Sequence, residues 1–182
     1  MSDSKNDPPF KGCIQVYTGN GKGKTTAALG LALRAAGWKY RTFIGQFLKG
    51  QSCGELAAAA GLAPFITIEQ FGREGFLTIE DTPEEEDVGR AQRGLSKCLK
   101  ALRSGEYRLV ILDEVLVAVH FGLLSEADLH EFLDQKPDDV EVVLTGRFAP
   151  ASVIERADLV TDMTEVKHYY ARGVRARRGI EK

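Results

Sequence analysis

CIQVYTGNGKGKTTAALGLALRAAG, Cys13–Gly37, sets three glycines and two lysines within the six residues Gly19–Lys24, between an apolar run and an alanine–leucine run. Cys13–Thr18 reads as a strand and Thr25–Ala36 as a helix, with Gly37 placed to end it. A glycine-rich loop between a strand and a helix is the pattern of a phosphate loop, G-x-x-x-x-G-K-[ST]. Gly23, Lys24 and Thr25 fill the end of that pattern, but its first glycine would fall at position 18, where Thr18 stands with Gly19 following. The physics survives the displacement. Glycines at 19, 21 and 23 admit positive φ and let backbone N–H groups converge on an anion. The helix opening near Lys24 adds the positive end of its dipole. Lys24 supplies a point charge for phosphate oxygens, and the Thr25 hydroxyl suits Mg²⁺.

Working outward, β-rich runs alternate with helical patterns. Arg41–Leu48 and Pro64–Phe71 read as strands. Residues 82–105 read as a long helix with Thr82 at its N-cap, Pro83 in the first turn and Glu85 completing a capping box. Val88, Ala91, Leu95, Cys98 or Leu99, and Leu102 form its apolar face. Tyr107–Glu114 is a buried strand, a helix opens at Ser125 with Asp128 in the capping-box position, VEVVLTGR is a strand, APASVIERA a short helix and DLVTDM a last strand. This alternation predicts an α/β chain with a RecA-like P-loop fold: a mainly parallel sheet with helices on both faces. Ligands of such sheets bind at the carboxyl ends of the strands. The glycine loop, Asp113, Glu114 and Thr145–Arg147 all fall there.

LVILDE is the partner motif. An apolar strand ending in acids suits a Mg²⁺–nucleotide site, because Mg²⁺ takes few carboxylates and keeps its waters. Spacing alone leaves open whether Asp113 or Glu114 is the ligand. Arg147, at the end of a strand, can reach phosphate or an amide.

The 182 residues fit an N-terminal arm at 1–11 and a single domain at 12–182. A net charge of −2 argues against nucleic acid as a partner, and the four arginines of the tail 171–182, with few aromatics beside them, do not reverse that. No apolar run approaches the roughly 18 residues of a spanning helix. The segment MSDSKNDPPF has no apolar signal core, so a cytoplasmic location is the expectation. Three cysteines without metal-type spacing are read as reduced thiols.

TGNGKGKTTAALG, GQFLKG, LVILDE, LTGR and EVKHYYARGVRARRGIE occur in an order and spacing that resemble the phosphate-loop corrinoid adenosyltransferases of the BtuR/CobO type, over about Cys13–Lys182. The resemblance implies an enzyme that transfers the 5′-deoxyadenosyl group of ATP to Co(I) of a reduced corrinoid, cobalamin or cob(I)yrinic acid a,c-diamide, releasing triphosphate in adenosylcobalamin biosynthesis or salvage. It implies ATP held with its γ-phosphate deep in the loop and the 5′ carbon outward. The implied nucleotide-binding residues are Gly19, Asn20, Gly21, Lys22, Gly23, Lys24, Thr25, Thr26, Lys49 and His168. Lys24 and Arg147 serve the reaction, and Thr25, Asp113 and Glu114 serve Mg²⁺. Phe76 becomes the bulky side chain that displaces the lower axial ligand of the corrinoid to ease reduction of Co(II). The family's nearby tryptophan is missing, since the only one here is Trp38. An electron-donor protein (flavodoxin-like or another reductase) and a homodimer are implied partners. A RecA-like ATP hydrolase or kinase is the alternative, with a nucleotide-dependent carrier as a third reading.

Overall fold

The computed structural model describes residues 10–73 and 84–181. Six strands, β1 (Ile14–Thr18), β2 (Thr42–Phe47), β3 (Ile66–Phe71), β4 (Leu109–Asp113), β5 (Glu141–Thr145) and β6 (Leu159–Asp162), form one sheet in the order β3-β2-β4-β5-β1-β6. Every pairing in it is parallel. This is the α/β architecture the alternation predicts.

Helices cover both faces because alternate residues of the buried strands point both ways. On one side lie α1 (Lys24–Gly37) and α2 (Gly54–Gly61), whose Ala28, Ala32 and Ala59 pack against Ile44, Ile66, Leu109, Ile111 and Val143. The other side holds α3 (Glu85–Arg103), α4 (Val115–His120), α5 (Glu126–Asp134) and α6 (Ala151–Arg156). Their larger core includes Val16, Phe43, Phe47, Leu102, Val110, Leu112, Leu116, Leu129, Phe132, Val142, Leu144 and Val153. Small alanines bring α1 close to the sheet, which seats the preceding loop directly over the strand ends.

The helix ends differ in part from expectation. α1 ends at Gly37 as expected, but the left-handed turn after it falls on Lys39, φ 64°, and not on the glycine. On α3, Thr82 and Pro83 lie outside the described residues. The observed capping box pairs Glu84 with Asp87, whose carboxylate accepts from the Glu84 N–H at 3.2 Å. Its apolar face is as read, with Cys98 rather than Leu99 fully buried. Ser125 and Asp128 form the expected reciprocal cap on α5: the Asp128 N–H donates to Ser125 Oγ at 3.1 Å, and the Ser125 N–H donates to Asp128 Oδ2 at 2.8 Å. Two helices escaped the sequence reading. GELAAAAG lacks polar–apolar periodicity, and VLVAVH, just after Asp113 and Glu114, is a short run too uniformly apolar to show a helical face.

Candidate active site

The glycine pattern has a steric cause. Thr18 ends β1 as an ordinary strand residue, hydrogen-bonded through its carbonyl to the Met163 N–H. At Gly19 the chain turns with φ 95°, and a Cβ there would lie 2.1 Å from the Asp162 carboxylate. The Gly21 N–H donates to the Met163 carbonyl at 2.6 Å. The loop is therefore pressed against the end of β6, and the first glycine must stand at 19 and not at 18. Gly23 adopts φ 125° where the loop enters α1, a conformation that side-chain-bearing residues rarely adopt.

Beside this loop lies an open cleft of about 530 Å³. Asn20, Gly21, Lys22, Gly23, Lys24, Thr25 and Thr26 form one wall, and Lys49, Glu114, Arg147 and His168 reach it from other elements. The structure thus gathers almost every residue the sequence nominated. Gly19 contributes its carbonyl, which with that of Gly21 accepts from Lys24 Nζ at 2.6 and 2.8 Å. Burial pushes the Lys24 ammonium below its ordinary value, against the pull of Glu114. A partly desolvated cation on the loop carbonyls is one that an incoming polyphosphate can recruit. Phe76 lies outside the described residues.

Beneath the cleft runs a polar row that the sequence reading only half found. Gln70 on β3, Gln46 on β2 and Asp113 on β4 stand in register across three strands, and Thr145 ends β5 beside them. Below Gln46 and Asp113 on the same face, the strands carry Ile44 and Ile111, part of the core. Gln70 Nε2 donates to Gln46 Oε1 at 3.0 Å. Gln46 Nε2 in turn donates to Asp113 Oδ2 and to Glu55 Oε1, both at 3.2 Å. Thr145 Oγ1 donates to Asp113 Oδ1 at 2.7 Å, and Thr25 Oγ1 donates to the same oxygen at 2.8 Å. Lys49 Nζ completes the set, 2.8 Å from Asp113 Oδ2. Asp113 is only 1% exposed, so these four donors replace its water. Burial would lower the Lys49 pKa, but the charge and hydrogen bond of Asp113 outweigh it and hold the ammonium above its ordinary value.

Glu114 is the opposite kind of acid. It lines the cleft in the left-handed region, φ 61°, and its N–H donates to Thr145 Oγ1 at 2.9 Å. Its carboxylate takes no hydrogen bond from the described residues. Burial first, and then the charge of Asp113, push that carboxyl above the ordinary range. Leu48 and Phe148, φ 61° and 60°, share its unfavourable backbone just beyond β2 and β5. Three of the four non-glycine residues with positive φ among the described residues thus ring the carboxyl ends of the strands. Strain of this kind concentrates at working sites.

The tail closes the cleft from above. Gly179, Ile180 and Glu181 line it, and Lys22 Nζ donates to the Ile180 carbonyl at 3.1 Å. Glu181 is held by Arg177, which stacks over the Tyr169 ring at 5.0 Å, and by the Tyr169 hydroxyl. These partners hold its carboxyl well below the usual range. His168 caps the short turn Tyr169–Arg172 by accepting from the Tyr170 N–H at 3.1 Å.

Comparison with known proteins decides between nucleotide enzymes. A model of the family ATP:corrinoid adenosyltransferase BtuR/CobO/CobP matches residues 10–181. The chain belongs to that family. The corrinoid adenosyltransferase of Pseudomonas aeruginosa is 34% identical over 172 residues, spanning 94% of this chain and 84% of its own. That of a Sinorhizobium species is 36% identical over 180 residues, spanning 94% and 80%, and that of Escherichia coli K12 is 34% identical over 172 residues, spanning 94% and 86%. The chain is accordingly an ATP-dependent transferase of corrinoid adenosylation in cobalamin biosynthesis. Among the described residues, no helix is long and apolar enough to cross a membrane.

Gln46, Gln70, Glu55 and residues 179–181 were not nominated from sequence, although His168 of the same tail was. The signal for Gln46 was present: a glutamine within the apolar strand TFIGQF is either an error of burial or part of a polar site. Glu55 and Ile180 carried none, since their roles depend on how α2 and the tail fold over the cleft.

Proposed function

We propose that this adenosyltransferase carries the 5′-deoxyadenosyl group of ATP to Co(I) of a reduced corrinoid, either a complete cobalamin or cob(I)yrinic acid a,c-diamide, with inorganic triphosphate as the leaving group. A Co–C5′ bond forms with the cobalt electron pair. The C5′–O bond breaks, and its pair departs on triphosphate. The observation that carries the reading is the gathering of Lys22, Lys24, Lys49 and Arg147 around the glycine loop, in a chain of this family. The protein supplies no nucleophile, so its work is to align cobalt with C5′ and to neutralise the charge that grows on the leaving group.

Mg²⁺ fits the donors present. Thr25 Oγ1 and the Glu114 carboxylate both border the cleft, while Asp113, already saturated by four donors, stands behind Thr25. Hard oxygen ligands with room for phosphate and water are what Mg²⁺ takes. Glu114 is thus the direct ligand in this reading, and Asp113 the residue that orients Thr25 and Lys49. When bound, the ion would offset polyphosphate charge. Lys24 turns from the carbonyls of Gly19 and Gly21 to the phosphates, and Lys22 leaves Ile180 for the same purpose. His168 orders the tail. Reduction of Co(II) by a separate electron-donor protein, with Phe76 closing the lower face, and assembly as a homodimer complete the proposal.

The test is product analysis. Incubation with ATP, Mg²⁺ and chemically reduced cobalamin should give the absorbance change of Co–C bond formation, a light-sensitive alkylcobalamin and triphosphate, and Lys24→Ala should abolish most of the rate. ADP and phosphate formed without corrinoid would return the protein to the hydrolases.

A further inference from the structure

Gln46 is fully buried in the middle of the polar row. Its Nε2 stands between two carboxylate oxygens from different elements, Asp113 Oδ2 at the end of β4 and Glu55 Oε1 in the first turn of α2, each at 3.2 Å. Lys49 Nζ addresses the same two oxygens, at 2.8 and 3.7 Å. An amide and an ammonium thus face two acids across one small square. A carboxylate only accepts, so Gln46 presents its nitrogen and not its oxygen to that square. The oxygen accepts from Gln70 Nε2 at 3.0 Å. Gln70 Nε2 also lies 3.6 Å from Cys53 Sγ, and the Cys53 thiol is hydrogen-bonded in turn to Glu55. Gln70, Gln46, Glu55 and Cys53 therefore close a ring of hydrogen bonds that ties β3 and β2 to the start of α2. Burial works against the charge of Glu55, but the amide at the start of α2, the Cys53 thiol, Gln46 and Lys49 outweigh this and hold the carboxyl below its ordinary range.

The ring separates two kinds of cation in the cleft. Lys24 lies on the carbonyls of Gly19 and Gly21, and Lys22 on that of Ile180, so both must leave a partner to meet a polyphosphate. Lys49 need not move. Two of its three N–H groups are directed at Asp113 and Glu55, and the third is left for the cleft that its side chain lines. We propose that Gln46 and Gln70 are positioning residues of the transfer reaction, locking the square and so aiming the Lys49 ammonium at the bond that breaks to release triphosphate. This rests on the adenosyl-transfer reading and deepens it. A donor fixed before charge develops needs no reorganisation when it does, so its contribution falls on the transition state and not on the bound substrate. Gln70 does not line the cleft and acts through Gln46.

Steady-state kinetics of the full chain with ATP, Mg²⁺ and chemically reduced cobalamin test this, each variant being checked first for a wild-type far-UV spectrum. Gln70→Met keeps the length of a half-buried side chain and deletes both of its hydrogen bonds. It should lower kcat about tenfold, and leave both KM for ATP and the calorimetric affinity for inorganic triphosphate within about twofold. The second arm is a cycle on kcat. In a Gln46→Met background, Gln70→Met should cost less than about twofold, because the residue it acts through is already gone. Should either glutamine variant fail to fold, Cys53→Ala opens the same ring from its other side and takes its place, with the same split between kcat and KM expected. An unchanged kcat, a loss carried by KM, or losses that multiply in the double variant would each overturn the positioning role. A wild type that forms no alkylcobalamin would overturn the adenosyl-transfer reading and this inference with it, whereas wild-type turnover with any of the former results sinks the inference alone.

Discussion

Lys49 and Asp113 are coupled across the polar row, and replacing each alone and both together measures that coupling. In Asp113→Asn the side chain keeps its shape. Its amide nitrogen can face the hydroxyls of Thr25 and Thr145, which rotate to accept, while its oxygen still meets Lys49 and Gln46. What disappears is the charge. The 2.8 Å contact joins a carboxylate 1% exposed to an ammonium 25% exposed, between the surface and buried limits for ion pairs. A hydrogen bond between charged groups contributes about 2 kcal/mol, and weakening of the three remaining charge-assisted bonds adds roughly 1 kcal/mol. Asp113→Asn should therefore lose about 3 kcal/mol, near 6–12 °C in Tm for a domain of this size. Lys49→Met should lose more, because it strands a buried carboxylate. Urea unfolding of the wild type, both single variants and the double variant gives the coupling energy, expected above about 1.5 kcal/mol. Additive effects, with coupling under about 0.5 kcal/mol, would mean that the contact is incidental and that Asp113 is held by its hydroxyl partners alone.

Thr145→Val removes the donor to Asp113 and the acceptor of the Glu114 N–H at nearly constant volume. It should lose about 2 kcal/mol by the same unfolding assay, and a loss under about 0.5 kcal/mol would contradict the row as drawn. The raised pKa of Glu114 means that the folded state binds that proton more tightly than the unfolded chain does. Its contribution to stability is present in acid and fades as pH rises through the raised value. Glu114→Gln, which mimics the protonated acid, should thus raise Tm in alkaline buffer and lose that gain in acid, while Mg²⁺-dependent nucleotide binding collapses; a Tm gain independent of pH would refute the assignment. Gly94→Ala should destabilise by about 1–3 kcal/mol despite a better helix propensity, because the new Cβ would meet the Phe71 ring at 2.7 Å. A higher Tm for this variant would show that Phe71 moves aside freely.

The fold was legible because its signals are local. Strand-loop-helix at Cys13–Gly37 and acids at the end of an apolar run each reflect chemistry that neighbouring residues share. Lys24, Thr25, Asp113 and Arg147 were found for the same reason, since each lies within two residues of the end or start of an element at the carboxyl edge of the sheet. The division of labour between Asp113 and Glu114 was not legible. It depends on donors from β2, β5 and α1 that saturate the first acid and leave the second facing the cleft. Gln46 and Gln70 belong to a network that exists only once three strands are in register. The displaced glycine had a cause invisible in its own segment: the approach of Asp162 and Met163, some 140 residues further along.

The position of β1 in the sheet has a consequence for how this enzyme comes into being. Among the described residues its strand partners are β5 and β6, while β2, β3 and β4 pair with one another in the middle of the chain. β1, translated before either partner, must wait for residues near 145 and 162 to emerge. Long loops of this kind close late and slowly. The glycine loop is therefore encoded ahead of the strands it packs against and assembled only with them. A nascent chain acquires an intact scaffold before it has any means of seizing nucleotide.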